Sequence, residues 1–460
     1  MVFSSITFLF IFLPVTLLLY YIVPGKLKNF VLLLVSLIFY AWGEPIYVFL
    51  MLYSILFNYW MGLLMEKHEA LKKEILVFSV IINLFLLGFF KYYGFLVSNI
   101  NAIFHLSLPI REIALPIGIS FYTFQALSYI IDLGRGRFKA QKNFIAFATY
   151  ITMFPQLIAG PIVRYEEIRT QMMKRTLSLE RFGTGALRFI VGLSKKVLLA
   201  NMIGSLFDAV QAMGSGVSVL SAWLGAVAFT FQIYFDFSGY SDMAIGLGDM
   251  LGFHFSENFD YPYASASVTD FWRRWHISLG TWFREYVYIP LGGNRVSTWK
   301  HIRNILVVWF LTGLWHGAAW NFVFWGLYYG ILLLFEKYVL NKIKLPKFLR
   351  WAMMILAVII GWVFFSANDL SSAFAALGAM FGIGTSAGVD SAALYYLKTY
   401  GILLILCAFF SLPLANLIVK HWKKSTTLRV VLIAIAMILL VLSTACLVSE
   451  NYNPFLYFRF

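Results

Sequence analysis

The sequence predicts an all-α polytopic membrane protein of about 11–13 helices, some of the segments re-entrant or broken. Three observations lead there. Of its 460 residues 61% are hydrophobic and only 12% charged, where a soluble domain carries about a quarter. Apolar runs long enough to cross a hydrocarbon core recur from end to end. The alternating strands of about ten residues that mark a membrane β-barrel do not occur. The net charge of +15 lies in short loops. That is the enrichment of cytoplasmic loops, so the bilayer is the expected partner and nucleic acid is not.

The elements follow in order. The first apolar segment, 6–23, lacks a basic leading region, contains Pro14 and shows no small-residue cleavage site before Pro24-Gly25-Lys26, so it reads as a retained span. Further spans are expected at 29–42, 46–65, 75–90, 113–131, 143–160, 184–211, 219–237, 304–335, 351–366, 395–419 and 428–448. Basic residues cluster after the first, third and fifth spans, at Lys26 and Lys28, at Lys67, Lys72 and Lys73, and at Arg135, Arg137, Lys139 and Lys142. Two more basic loops follow, Lys337 to Arg350 and Lys420 to Arg429, and 367–397 holds no Lys or Arg. Positive-inside counting then puts both termini, including the tail 451–460, outside.

Two runs break the alternation. Basic residues flank 143–160 on both sides, and Pro155, Gly160 and Pro161 interrupt it, which predicts a broken or re-entrant helix lining a cavity. The 304–335 run is too long for one upright span, yet Arg303 and Lys337 both read as cytoplasmic, which predicts a hairpin or sharply bent pair. A helix rising from Asn304 carries His316 about 18 Å up, near the midplane. With no internal repeat and no separable soluble part, residues 1–460 read as one integral-membrane domain. Within it 1–131 are N-terminal spans, 132–336 a catalytic core and 337–460 C-terminal spans. Cys407 and Cys446 sit in apolar helices and read as packing residues.

Chemistry concentrates around two histidines. His316 lies in Leu314-Trp-His-Gly-Ala-Ala-Trp-Asn-Phe, where a neutral imidazole can take a proton from a hydroxyl and return it to a leaving group. Trp315, Trp320 and Trp325 would wall the site, and Asn321 would orient a substrate or stabilise an oxyanion. The plainer reading is a buried histidine bonded to a backbone carbonyl. His276 lies in Phe271-Trp-Arg-Arg-Trp-His-Ile-Ser-Leu, where Arg273 and Arg274 are candidates for binding phosphate; an interfacial aromatic helix is an equal reading. A third cluster, Gln232, Asp236, Ser238 and Asp242, interrupts an apolar run. It suits a substrate site or an ion-pair network with Arg273, Arg274 or Arg164. Metal-ligand spacing and a P-loop are absent, so neither a metal nor a resident cofactor is expected.

In these motifs the chain resembles the membrane-bound O-acyltransferases, in the bacterial branch of alginate O-acetyltransferases and of D-alanyl transfer to teichoic acid. The resemblance runs from Met1-Val-Phe-Ser-Ser through Gly160-Pro-Ile-Val-Arg-Tyr165 and Tyr234-Phe-Asp-Phe-Ser-Gly-Tyr-Ser-Asp-Met-Ala-Ile-Gly246. It continues in Asn258-Phe-Asp-Tyr-Pro-Tyr, Tyr288-Ile-Pro-Leu-Gly-Gly-Asn294 and Asn453-Pro-Phe-Leu-Tyr-Phe-Arg-Phe. It implies His316 as the essential catalytic histidine, His276 as the second, and a funnel joining a cytoplasmic donor to an outer acceptor. Further implications are the bacterial inner membrane, an SGNH-hydrolase-type partner and a polysaccharide acceptor. The expected reaction moves an acyl group, acetyl first, from acetyl-CoA or an acyl-carrier-protein thioester to a hydroxyl. D-alanyl transfer is the alternative within the family. A solute or proton transporter and an export scaffold are the rivals from other classes.

Overall fold

All regular structure among the described residues is helical in the computed structural model, which describes residues 1–385, 387–414, 426–449, 453 and 456. Among those residues nine helices are long and apolar enough to cross a membrane. The chain folds as two compact units, one of residues Met1–Phe189 with Ser241–Ser256, the other of 190–240 and the chain from Glu257 onward. The basic positions Lys420, Lys423 and Lys424, and all of the tail 451–460 except 453 and 456, lie outside the described residues.

The first unit holds α1 (Leu13–Ile22), α2 (Lys28–Gly43), α3 (Val48–Lys67), α4 (Lys72–Phe104), α5 (Ile119–Gly134), α6 (Phe144–Thr152), α7 (Phe154–Leu157), α8 (Tyr165–Met173) and most of α9 (Leu179–Ser194). Expected as the span 75–90, α4 is far longer, because no Pro interrupts it and Gly88 and Gly94 are carried within the helix. Buried polar groups register the helices: Asn58 and Asn83 donate to each other across α3 and α4 at 3.0 and 2.8 Å. The expected broken helix is present, α6 ending at Thr152 and α7 restarting at Phe154 beside Pro155.

The second unit contains α10 (Met202–Ala212), the first part of α11 (Val219–Met250), α12 (Val268–Arg274), α13 (Ile277–Phe283), α14 (Thr298–His316), α15 (Trp320–Tyr338), α16 (Lys347–Ser366), α17 (Leu370–Met380), α18 (Ser391–Ser411) and α19 (Thr426–Ser449). The 304–335 run is indeed a hairpin, with α14 and α15 joined by Gly317, Ala318 and Ala319. Its arms are pressed together through glycine. A Cβ on Gly326 would fall 3.1 Å from both N and Cα of Gly313 and inside contact distance of the Trp309 carbonyl. Around the hairpin lies an aromatic core that includes Phe271, Trp275, Trp325, Tyr329, Trp362 and Phe365, all buried.

Candidate active site

His276 owes its position to a helix that stops. Asp270, Arg273, Arg274 and His276 cannot share one helical face, and α12 ends at Arg274 while α13 begins at Ile277. Between them His276 takes a left-handed backbone at φ 46°, ψ 54°, strained for a residue with a Cβ. Pairing with the preceding loop holds it there. Asp260 N donates to Arg274 O at 3.0 Å and Ile277 N to Asn258 O at 3.0 Å, around a Phe259–Trp275 bridge.

The side chain is held as firmly. Three donors meet on Asn258 Oδ1: His276 Nδ1 at 3.1 Å, Ser278 N at 3.2 Å and Ser278 Oγ at 2.9 Å. A backbone N–H can only donate, so the atom it meets is the amide oxygen, and Nδ1 must carry the imidazole proton. Nε2 is left with its lone pair, buried and without a hydrogen-bond partner among the described residues. Burial holds the imidazolium far below its ordinary range, at about 3, so the ring is neutral near pH 7. The rings of Phe237, at 4.7 Å, and Trp315, at 6.0 Å, close around it.

His316 is the last residue of α14, buried at the hairpin turn. Its ring lies against Trp315 and Trp325, each at 5.0 Å between centroids, and Phe365 at 5.3 Å. Trp315 therefore touches both histidines. Trp320 departs from the expected wall: it is 56% exposed, because it stands about 140° around α15 from Trp325, five residues on. The wall is completed instead by Phe365 and Trp362 of α16, with Trp325 and Trp362 stacked at 6.1 Å.

Asn321 shares the Trp325 face and is buried. Its Nδ2 donates to Phe364 O at 3.3 Å and Ala367 O at 2.9 Å, the carbonyls that end α16. Both amide hydrogens are thus engaged. What remains is Oδ1, an acceptor, which suits a substrate hydroxyl and not an oxyanion.

The charged candidates separate. Arg274 is taken by Asp270 at 3.1 Å and Asp260 at 3.7 Å, while Arg273 is exposed. Asp236 meets none of the expected arginines. It pairs with Lys196 at 2.6 Å, both side chains buried, and its second oxygen accepts from Leu456 N at 3.0 Å. Asp242 faces elsewhere, paired with Arg188 at 2.8 Å, since six residues along a helix end about 120° short of the starting face. Ser238 Oγ is buried with no hydrogen-bond partner among the described residues. Sequence reasoning missed Lys196, whose charge inside the apolar run 184–211 was a signal. It also gave Asn258 no role, although that residue stands in a quoted motif.

The MBOAT, membrane-bound O-acyltransferase, family profile matches residues 32–376. A probable alginate O-acetylase of Azotobacter vinelandii is 46% identical over 394 residues, 84% of this chain and 79% of its own. One from Pseudomonas putida is 42% identical over 486 aligned residues, covering all of both chains. A peptidoglycan O-acetyltransferase of Helicobacter pylori is 36% identical over 422 residues, 83% of this chain and 80% of its own.

Proposed function

The chain belongs to the membrane-bound O-acyltransferase family, and from that premise we propose that it moves an acetyl group from a cytoplasmic thioester to a hydroxyl of an extracytoplasmic polysaccharide. The observation that carries this reading is the pair of buried histidines flanking Trp315 in an aromatic compartment. The acetylase and acetyltransferase names of its relatives support the acyl group and the acceptor class.

In the proposed reaction His316 takes the acceptor hydroxyl proton as the oxygen attacks the thioester carbonyl. The C–S bond then breaks, and the proton returns to the departing thiolate, so the thiol leaves and an ester remains. The aromatic wall excludes water that would otherwise hydrolyse the thioester. His276, with its proton fixed on Nδ1, offers an Nε2 lone pair that accepts a hydrogen bond on the donor side. Asn321 Oδ1 accepts from a substrate hydroxyl. The donor is acetyl-CoA or an acyl-carrier thioester, a substrate and not a resident cofactor. The acceptor is reached directly or through an SGNH-type partner, in a bacterial inner membrane with both termini outside.

The test is alkali-released acid from the surface of a deletion strain complemented with wild type or His316→Ala. Wild type is expected to restore acetate release, and a normally expressed His316→Ala to leave it at the deletion level. Full restoration by His316→Ala would remove the catalytic assignment. Release of alanine instead of acetate would move the reading to D-alanyl transfer.

A further inference from the structure

Away from the histidines, the first unit carries a surface groove of about 430 Å³ lined by Leu17, Tyr21, Leu177, Ser178, Leu179 and Phe182. Its walls are α1, the loop before α9 and the first turn of α9, and Leu179 on its rim is 92% exposed. The neighbouring face of α1, with Leu18 at 61% and Ile22 at 71% exposed, continues the same apolar surface. On a multi-pass membrane protein such a surface meets acyl chains.

One end of the groove is cationic. Lys28 Nζ donates to Tyr20 O at 2.6 Å and sits 4.4 Å over the Tyr20 ring and 5.3 Å over that of Tyr21, a groove residue. Arg175 Nε donates to Tyr20 Oη at 2.7 Å and Nη1 to Asn29 Oδ1 at 2.7 Å. Neutral groups therefore hold both cations on one tyrosine, and neither meets a carboxylate among the described residues. Arg175 Nη2 is buried without a hydrogen-bond partner there. Lys26 and Lys174, next to them in sequence, are exposed. Of the acids on this face, Asp249 is taken by Arg181 at 3.0 Å, and Glu180 is exposed beside Leu179.

We propose that this face binds one acidic phospholipid, with an acyl chain in the groove and its phosphodiester on Lys28 and Arg175. Two adjacent cations without a counter-ion gain most from an anion brought to them in a medium of low dielectric. The guanidinium brings a permanent charge to the phosphate, and the half-buried Lys28 an ammonium that can donate to its oxygens. The site is independent of acyl transfer.

The test is the thermal midpoint of the full chain in neutral detergent, with phosphatidylglycerol, phosphatidylcholine or inorganic phosphate added. Phosphatidylglycerol is expected to raise the wild-type midpoint by several degrees, and the other two to leave it unchanged. Both Leu179→Glu, which puts an acid into the groove at an exposed position, and Lys28→Gln with Arg175→Gln are expected to abolish that shift. An equal shift with phosphatidylcholine, or with inorganic phosphate, would overturn the proposal. So would a phosphatidylglycerol shift that survives in Leu179→Glu, a readout that holds even where the double variant fails to fold.

Discussion

Two helix breaks, one in each unit, differ in what the interruption carries at its tip. At Met153 the chain leaves α6 and re-enters α7, and the loose backbone groups are gathered in by side chains. Phe154 N donates to Ser36 Oγ at 3.1 Å, and Gln156 Nε2 to Tyr150 O at 2.7 Å. At Gly317 the chain leaves α14 for α15, and Asn321 collects the carbonyls that end α16. Both breaks are buried and bounded by Gly or Pro. The difference is that the second ends on an imidazole between aromatic rings, whereas the first holds only neutral amides and hydroxyls. In the proposed reaction it is this titratable group at the tip of the second break that does the chemistry.

The comparison breaks most severely at His316. His316→Gln should lower transfer by about 10²–10⁴-fold, the usual contribution of a general base, while the thermal midpoint stays near wild type. A midpoint collapse instead would return the residue to a packing role. Gly326→Val tests the frame of the same break. Its side chain collides with the Trp309 backbone, and overpacking of this kind costs about 1–3 kcal/mol or more, read as a lower midpoint with activity lost in parallel.

Asn258→Ala should cut turnover by about tenfold, matching loss of one orienting hydrogen bond of about 1.4 kcal/mol. Asn258→Asp sharpens the point, because a carboxylate beside Nδ1 favours the imidazolium and raises its pKa. In the wild type the neutral folded ring leaves stability level above the unfolded pKa of 6.5 and lets it fall as the pH drops from there toward about 3. The aspartate variant should show a shallower decline over that window, measured by midpoints at graded pH, and identical curves would refute the tautomer assignment. Smallest of all, Ser36→Ala should cost about 1–2 kcal/mol by stranding the buried Phe154 N–H. Turnover per folded molecule should not change; a loss there would make the first break functional too.

Much of this is legible in the amino-acid sequence alone. The hairpin and the break at Met153 follow from run length and from Gly and Pro, which act through their own backbone. His316 stands out because an ionisable group in an apolar run is costly, and His276 because of the arginines and tryptophans beside it. Other readings failed wherever orientation mattered. Trp320 was expected in the wall and points outward. Asp236 found Lys196 and not an arginine, and Asn321 spends its donors on the end of α16.

The sequence by itself determined the membrane class, the break at Met153 and the hairpin at Gly317, and it marked the two imidazoles as candidates. These are properties of composition and of single residues, and they need no partner to be read. Tertiary structure alone decided that Asn258 holds the proton of His276 on Nδ1, that Trp315 lies between the histidines, and that α16 completes the wall with Phe365. Each of those depends on which faces of separate helices meet. Rotation of a helix by one residue moves a side chain by about 100°, and only close packing selects among such rotations.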